Sequence, residues 1–244
     1  NSGPGTSWYE RLTPFSRESV NLVKMLYEDL ASHAQIHGVL FQDDAYLTDK
    51  EDFHPAAISR YKEEMGSDML SESSRQDPEL EQNWARLKTE VLIDFTRELM
   101  ASVRKFRPDA AFARNLYSVV INEPVSELWF AQNYPLFLEN YDRVVIMAYP
   151  QMDRVSHPDK WLRNIVNRAK GYPRGLDKTI FKVQTYDWRK KEWIIGRDLL
   201  KELREILMSG GKHIAYYPDN FWLNQPPIDE IKLEMSTKIY PFLP

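Results

Sequence analysis

The sequence predicts an α/β protein built from parallel βαβ units. Short apolar or β-branched runs alternate with stretches of helical periodicity from Gly38 onward. A loop of modest length follows each helical stretch and leads into the next strand-like run, as parallel crossovers require. No Gly-x-Gly-x-x-Gly and no P-loop follows any strand, so nucleotide-binding doubly wound folds lose support. A length of 244 residues suits an α/β barrel-type unit.

Taken in order, NSGPGTSWYERLTPF reads as a loop punctuated by Gly3, Pro4, Gly5 and Pro14. Ser16 can cap a helix running to Ala34, with Val20, Val23, Leu26, Tyr27 and Leu30 at helical spacing. Gly38 precedes a short strand, VLFQ, that runs into Asp43 and Asp44. Residues 46–79 are polar, with a short helix expected over Pro55–Met65. One long helix follows at roughly 79–106, stopped by Pro108. Ala111–Ile121 is strand-like, Glu127–Asn140 helical, and Arg143–Tyr149 an apolar strand closed by Pro150. A helix over Asp159–Lys170 leads to the strand Thr179–Trp188. The next helix, Arg197–Ser209, ends at Gly210 and Gly211. His213–Pro218 is the last strand, and Pro227–Glu234 a short tail helix. That makes five strands, and a closed eight-stranded barrel needs three more.

Composition narrows the chemistry. Hydrophobic residues make up 43% of the chain, enough for a sizeable core. Aromatics reach 13% and can serve as stacking platforms as well as core. A net charge of −4 argues against a nucleic-acid partner and favours a neutral or cationic one. The absence of cysteine excludes disulfides, thiolate metal sites and cysteine nucleophiles. His33 and His37 sit four apart on a helix, as in a zinc motif, but the Glu of His-Glu-x-x-His is missing and no metal is expected; nor is any other cofactor. No apolar run is long enough to cross a membrane. No Gly-x-Ser-x-Gly supports a serine hydrolase.

In parallel barrels chemistry sits at the C-terminal strand ends. Here those ends collect Asp43 and Asp44, then Arg114 and Asn115, then Tyr149, then Gln184, Tyr186, Asp187 and Trp188, then Tyr216, Tyr217, Asp219 and Asn220. Carboxylates, amides and aromatic faces together suit a sugar. Glycoside cleavage needs one carboxylic acid to protonate the leaving oxygen and a second group to stabilise or attack the oxocarbenium-like centre. Two adjacent acids repel as charges, which keeps a proton available nearer neutral pH. The structural reading stands beside this one: an Asp-Asp pair at a strand end also serves as a turn or cap, and the following TDKED as a solvated loop. Tyr216 and Tyr217 equally fit core and rim packing.

The run LYEDLASHAQIHGVLFQDDAYLTDKED, with SELWFAQNY, IMAYPQM and YYPDNFWLNQPP in the same order, resembles the C-terminal domain of the periplasmic poly-β-1,6-N-acetyl-D-glucosamine N-deacetylase family of Gram-negative biofilm systems. The resemblance covers roughly Trp8 to Pro241. It implies a TIM-like (β/α) barrel related to glycoside hydrolases, filling residues 1–244 as one domain, with the first strands absent and VLFQ fourth in the barrel. It implies a domain that binds partly deacetylated poly-β-1,6-N-acetylglucosamine and hydrolyses it by endo attack. The family's deacetylase chemistry belongs to a separate metal-binding domain and is not expected here. By position, Asp43 and Asp44 match the family's active-site aspartates. Trp129 and Trp188 match aromatics of the sugar groove, with Tyr149, Gln184 and Tyr217 as further sugar contacts. Asp49 and Glu51 add negative charge beside a cationic glucosamine. Gln42 stands where family members carry His, so no imidazole role carries over there. The resemblance also implies a periplasmic, outer-membrane-associated full-length protein and an export porin as partner. The competing class is a non-catalytic glycan-binding module that guides the polymer to that porin.

Overall fold

The computed structural model describes residues 12–43, 45–66 and 77–235. In chain order the elements are α1 (Arg17–His33), β1 (Gly38–Phe41), α2 (Pro55–Met65), α3 (Pro78–Arg104), β2 (Ala111–Tyr117), α4 (Ser118–Asn122), α5 (Glu127–Phe130) and α6 (Tyr134–Asn140). They continue as β3 (Arg143–Ala148), α7 (Pro158–Lys170), α8 (Gly175–Lys178), β4 (Thr179–Gln184), β5 (Tyr186–Asp187), β6 (Glu192–Trp193), α9 (Gly196–Met208), β7 (His213–Tyr217) and α10 (Ile228–Glu234). Five strands form one sheet in the order β1-β2-β3-β4-β7, a part of a TIM-like barrel, while β5 and β6 pair separately. The chain divides into two units, Asn1–Ala113 with Glu123–Asn133, and Arg114–Asn122 with Tyr134–Pro244.

In the first unit, α1 lies against the 27-residue α3. Asp77 starts α3, its Oδ1 accepting from the amides of Glu79 at 2.9 Å and Leu80 at 3.4 Å. Ser16 occupies the cap position of α1 without a side-chain bond, so the expected serine cap does not form. His54 instead caps α2 through Nδ1, which accepts from Ala56 N at 3.1 Å. His37 lies beyond the end of α1, so His33 and His37 do not share the helix expected of them. Edge-to-face contacts chain Phe15, Tyr61 and Trp84 together, at centroid distances of 5.4 and 5.6 Å. Gly38 lets β1 approach β2: a Cβ there would stand 2.5 Å from the Ala111 carbonyl oxygen.

In the second unit, β3, β4 and β7 run parallel in fixed register, with Ala148 opposite Val183 and Gln184 opposite Tyr217. The β3 and β4 strands are buried almost throughout, as strands covered on both faces must be. Leu162, Ile165, Val166 and Ala169 of α7 and Leu199, Leu203 and Ile206 of α9 give these packed helices their buried apolar faces.

Three expected elements stop early or break. The strand expected over Ala111–Ile121 stops at Tyr117; Ser118–Asn122 turns helical and buries Val120 and Ile121 while packing on α7 and β3. β-branched residues raise strand preference only where tertiary packing does not override it. The helix expected over Glu127–Asn140 is interrupted because Ala131 takes a left-handed conformation, φ +48°, and closes α5. The strand expected over Thr179–Trp188 ends at Gln184, and Tyr186–Asp187 pairs antiparallel with Glu192–Trp193. The turn joining those two short strands is held by Asp187 Oδ1, which accepts from Arg189 N at 2.9 Å and Lys190 N at 3.2 Å.

Candidate functional site

The expected site residues fall into two groups, one in each unit. In the first, Asp43 follows β1 by two residues and is half-buried. Asp44, its expected catalytic companion, lies outside the described residues. The acidic loop behind them is not simply solvated. Asp52 is fully buried: it accepts from the Thr13 hydroxyl and, through Oδ1, from His54 N at 2.8 Å. Its own amide donates to Tyr61 Oη at 3.2 Å. Glu51 is turned back on the loop, its Oε2 accepting from Thr48 N at 3.0 Å and Thr48 Oγ1 at 2.9 Å. Of the two acids expected to face a cationic sugar, only Asp49 is exposed.

Beneath this loop lies a lysine that sequence reasoning did not single out. Lys88 of α3 is buried, donates to the Thr48 carbonyl at 2.6 Å, and stands 4.5 Å from the Trp84 ring centroid. Burial pushes its ammonium down to about 8, against the attraction of Asp49, Glu51 and Asp52, which acts the other way. Part of the loop's negative charge is thus answered from inside the protein. A Lys on the apolar face of a long predicted helix was the available signal.

Trp129 reaches solvent with 46% of its surface exposed. Its short helix is fastened by the buried Glu127, which receives a two-pronged bond from Arg86 at 2.9 and 3.0 Å, with further donors from Thr89 at 2.8 Å and Asn133 at 3.0 Å.

In the second unit the strand ends come together. Tyr149 and Gln184 each stand one residue beyond the pair Ala148–Val183, and Gln184 is itself paired with Tyr217. The Trp188 ring lies 6.2 Å from that of Tyr217 at an interplanar angle of 29°, and 5.8 Å from that of Tyr149 at 41°. Trp188 and Tyr217 are 40% and 50% exposed, whereas Tyr149 is buried behind them. The result is an aromatic platform with two of its rings partly open to solvent.

Gln184 is fully buried, and the backbone takes both ends of its amide. Oε1 accepts from Met152 N at 2.9 Å and Nε2 donates to Tyr186 O at 3.0 Å. The side chain therefore holds the loops after β3 and β4 in place rather than reaching outward. Lys182, on the same strand face two residues earlier, donates to Asn115 Oδ1 at 3.1 Å. Its ammonium lies 5.8 Å from the Tyr149 ring and 5.5 Å from that of Tyr217, a buried cation supporting the platform. Asp153, three residues past Pro150, is another carboxyl near a strand end that the sequence reading passed over. It accepts from the Ser118 hydroxyl, but desolvation outweighs that bond and holds its carboxyl above the ordinary range. Among the described residues no group of three or more His, Cys, Asp or Glu is arranged to hold a metal ion.

Residues 2–217 match the model of hypothetical glycosyl hydrolase family 13. Over 239 residues the chain is 44% identical to the poly-beta-1,6-N-acetyl-D-glucosamine N-deacetylase of Escherichia coli (strain K12), covering 96% of this chain and 35% of that protein. It spans about a third of the length of the curated relatives it matches. It is similar, at 36% identity and a TM-score of 0.89, to the PgaB (BpsB) glycoside hydrolase domain from Bordetella bronchiseptica, covering 97% of this chain and 68% of that one. A beta-galactosidase from the haloarchaeon Halorubrum lacusprofundi shares the fold alone, at 14% identity and a TM-score of 0.53, with 89% of this chain and 39% of that one covered. With its parallel sheet, its acid at a strand end and these relatives, the chain belongs to hypothetical glycosyl hydrolase family 13 and is a relative of the PgaB glycoside hydrolase domain.

Proposed function

We propose that this domain is an endo-acting glycoside hydrolase that binds partly deacetylated poly-β-1,6-N-acetyl-D-glucosamine and cleaves it during biofilm polysaccharide modification and export. The observation that carries the reading is Asp43, half-buried and two residues past the end of β1, in a chain of a glycosyl hydrolase family. One member of the Asp43–Asp44 pair protonates the glycosidic oxygen as the bond to the anomeric carbon breaks. The other, or the acetamide of the sugar itself, stabilises the electron-poor carbon until water adds. Trp129, and separately Trp188 with Tyr217, offer ring faces for the C–H faces of pyranose units. Asp49 supplies negative charge for a glucosamine ammonium, while Glu51, Gln184 and Tyr149 act by positioning.

Residues 1–244 form the hydrolase domain of a longer periplasmic protein associated with the outer membrane, which passes its product to an export porin. Deacetylation, which the name of the Escherichia coli relative records, is assigned to a part of such proteins outside this chain.

Incubation with partly deacetylated β-1,6-linked oligomers, followed by mass analysis, should give shorter oligomers. Asp43→Asn or Asp44→Asn should lower turnover by about 100-fold or more, as loss of a general acid does, with the melting temperature almost unchanged. Binding without cleavage by the unaltered protein would reassign the domain as a glycan carrier. Loss of folding in both variants would make the pair a structural cap.

A further inference from the structure

The most exposed aromatic group among the described residues stands just past the platform of the second unit. β7 ends at Tyr217, and after Pro218 and Asp219 the chain makes a tight hairpin from Asn220 to Gln225. Two backbone bonds close it, Asn220 N to Gln225 O at 2.7 Å and Gln225 N to Asn220 O at 3.0 Å. Asn220 Oδ1 also accepts from Leu223 N at 3.1 Å, and Asn224 adopts the left-handed conformation that Asn tolerates, φ +49°. The tip of this stiff loop is Phe221-Trp222-Leu223. Phe221 is 72% and Trp222 85% exposed, and their rings lie 4.7 Å apart at 35°. Three consecutive large apolar side chains held in water by a braced loop mark a binding surface rather than a packing defect.

Its surroundings select the occupant. The segment from Asp219 through the hairpin to Asp229 and Glu230 in the first turn of α10 carries three acids and no Lys or Arg; Asp219 is exposed, while Glu230 lines a groove with Arg197, Lys201 and Arg204 of α9. An anionic lipid surface would be repelled by this acid. A polymer with apolar sugar faces and ammonium groups is attracted by both features. Only three residues separate Tyr217 from Phe221, so the hairpin stands within about 14 Å of chain reach, four Cα steps, of the Trp188–Tyr217 platform. We propose that Phe221 and Trp222 form an outer subsite for the same glycan, engaging units of a long chain that short oligomers do not reach. The proposal rests on the glycan reading above. The hairpin's rigidity serves it, since little freedom is lost when a sugar docks.

The test is titration with β-1,6-linked glucosamine oligomers of three and of eight units, with mass analysis confirming that each stays intact. The unaltered protein should bind the longer oligomer more tightly. Phe221→Ala with Trp222→Ala should weaken binding of the longer one about tenfold and leave the shorter unchanged, and Trp222→Tyr should restore most of the difference. Equal effects on both lengths, no effect on either, or a fall in melting temperature that accounts for the loss would each overturn the subsite. Failure of the unaltered protein to bind either oligomer would sink the glycan reading itself. Hairpin-dependent co-sedimentation with phosphatidylethanolamine–phosphatidylglycerol vesicles would reassign the tip to lipid.

Discussion

Lys88 decides how the acidic loop of the first unit carries its charge. Its folded-state value, about 8, lies below the ordinary 10.5, so between those limits the folded chain binds fewer protons at this site than the unfolded one. Stability from this site therefore rises as pH goes from about 8 to about 10.5, by up to about 3 kcal/mol. Urea denaturation across that interval should show this rise in the unaltered protein and a flatter profile in Lys88→Met; equal slopes would place the charge elsewhere. The sequence pointed to the acids but not to this arrangement. Asp43 is legible because a strand runs straight into it. Asp52 reads like its solvated neighbours, because the partners that bury it, Thr13 and Tyr61, are 39 and 9 residues away along the chain. Gln184 was legible as a strand-end residue, but only the folded backbone reveals that both ends of its amide are already engaged.

At the scale of elements, α9 carries an unusual carboxyl. Glu202 is buried on the helix face, takes one bond from Gln151 Nε2 at 2.7 Å, and leaves Oε2 without a partner, as Gln151 leaves its own oxygen. Burial pushes its carboxyl up to about 7, with Asp198 adding to the rise and the Gln151 bond opposing it. A raised carboxyl favours the folded chain below the unfolded value of 4.5, and that benefit disappears as pH climbs through about 7. Glu202→Gln removes the charge, replaces the unpaired Oε2 with a donor and offers that donor to the unpaired Gln151 oxygen. It should add about 2–3 kcal/mol at pH 7.5, seen as a melting temperature about 5–10 °C higher, and flatten the dependence between pH 4.5 and 7. An unchanged melting temperature would refute the assignment. The main helices and strands were legible from periodicity, because burying one face dictates it. The breaks at Tyr117, Ala131 and Gln184 were not. β-branched and aromatic residues continue past both strand ends, where Ser118–Asn122 turns helical and packs on α7 and β3, and Tyr186–Asp187 pairs with Glu192–Trp193 instead of extending β4.

For the whole molecule, the net charge of −4 and the acids near the strand ends set a field that favours a polycation. If ammonium groups of the glycan are recognised through it, affinity should fall several-fold between about 0.05 and about 0.5 M NaCl, where the screening length drops to a few ångströms. Affinity independent of salt would mean that ring stacking alone holds the sugar. The alternation of strands and helices made the α/β class readable without reference to any relative, and the ordered blocks from SELWFAQNY to YYPDNFWLNQPP made the family readable. The division into two units was not readable. It passes from one to the other after Ala113, back after Asn122 and over again after Asn133, the first of these crossings falling inside a single strand. Neither unit is a single continuous stretch of sequence. Truncation series, fragment libraries and circular permutants can open the chain in many places, but residues 111–133 have to be inherited intact.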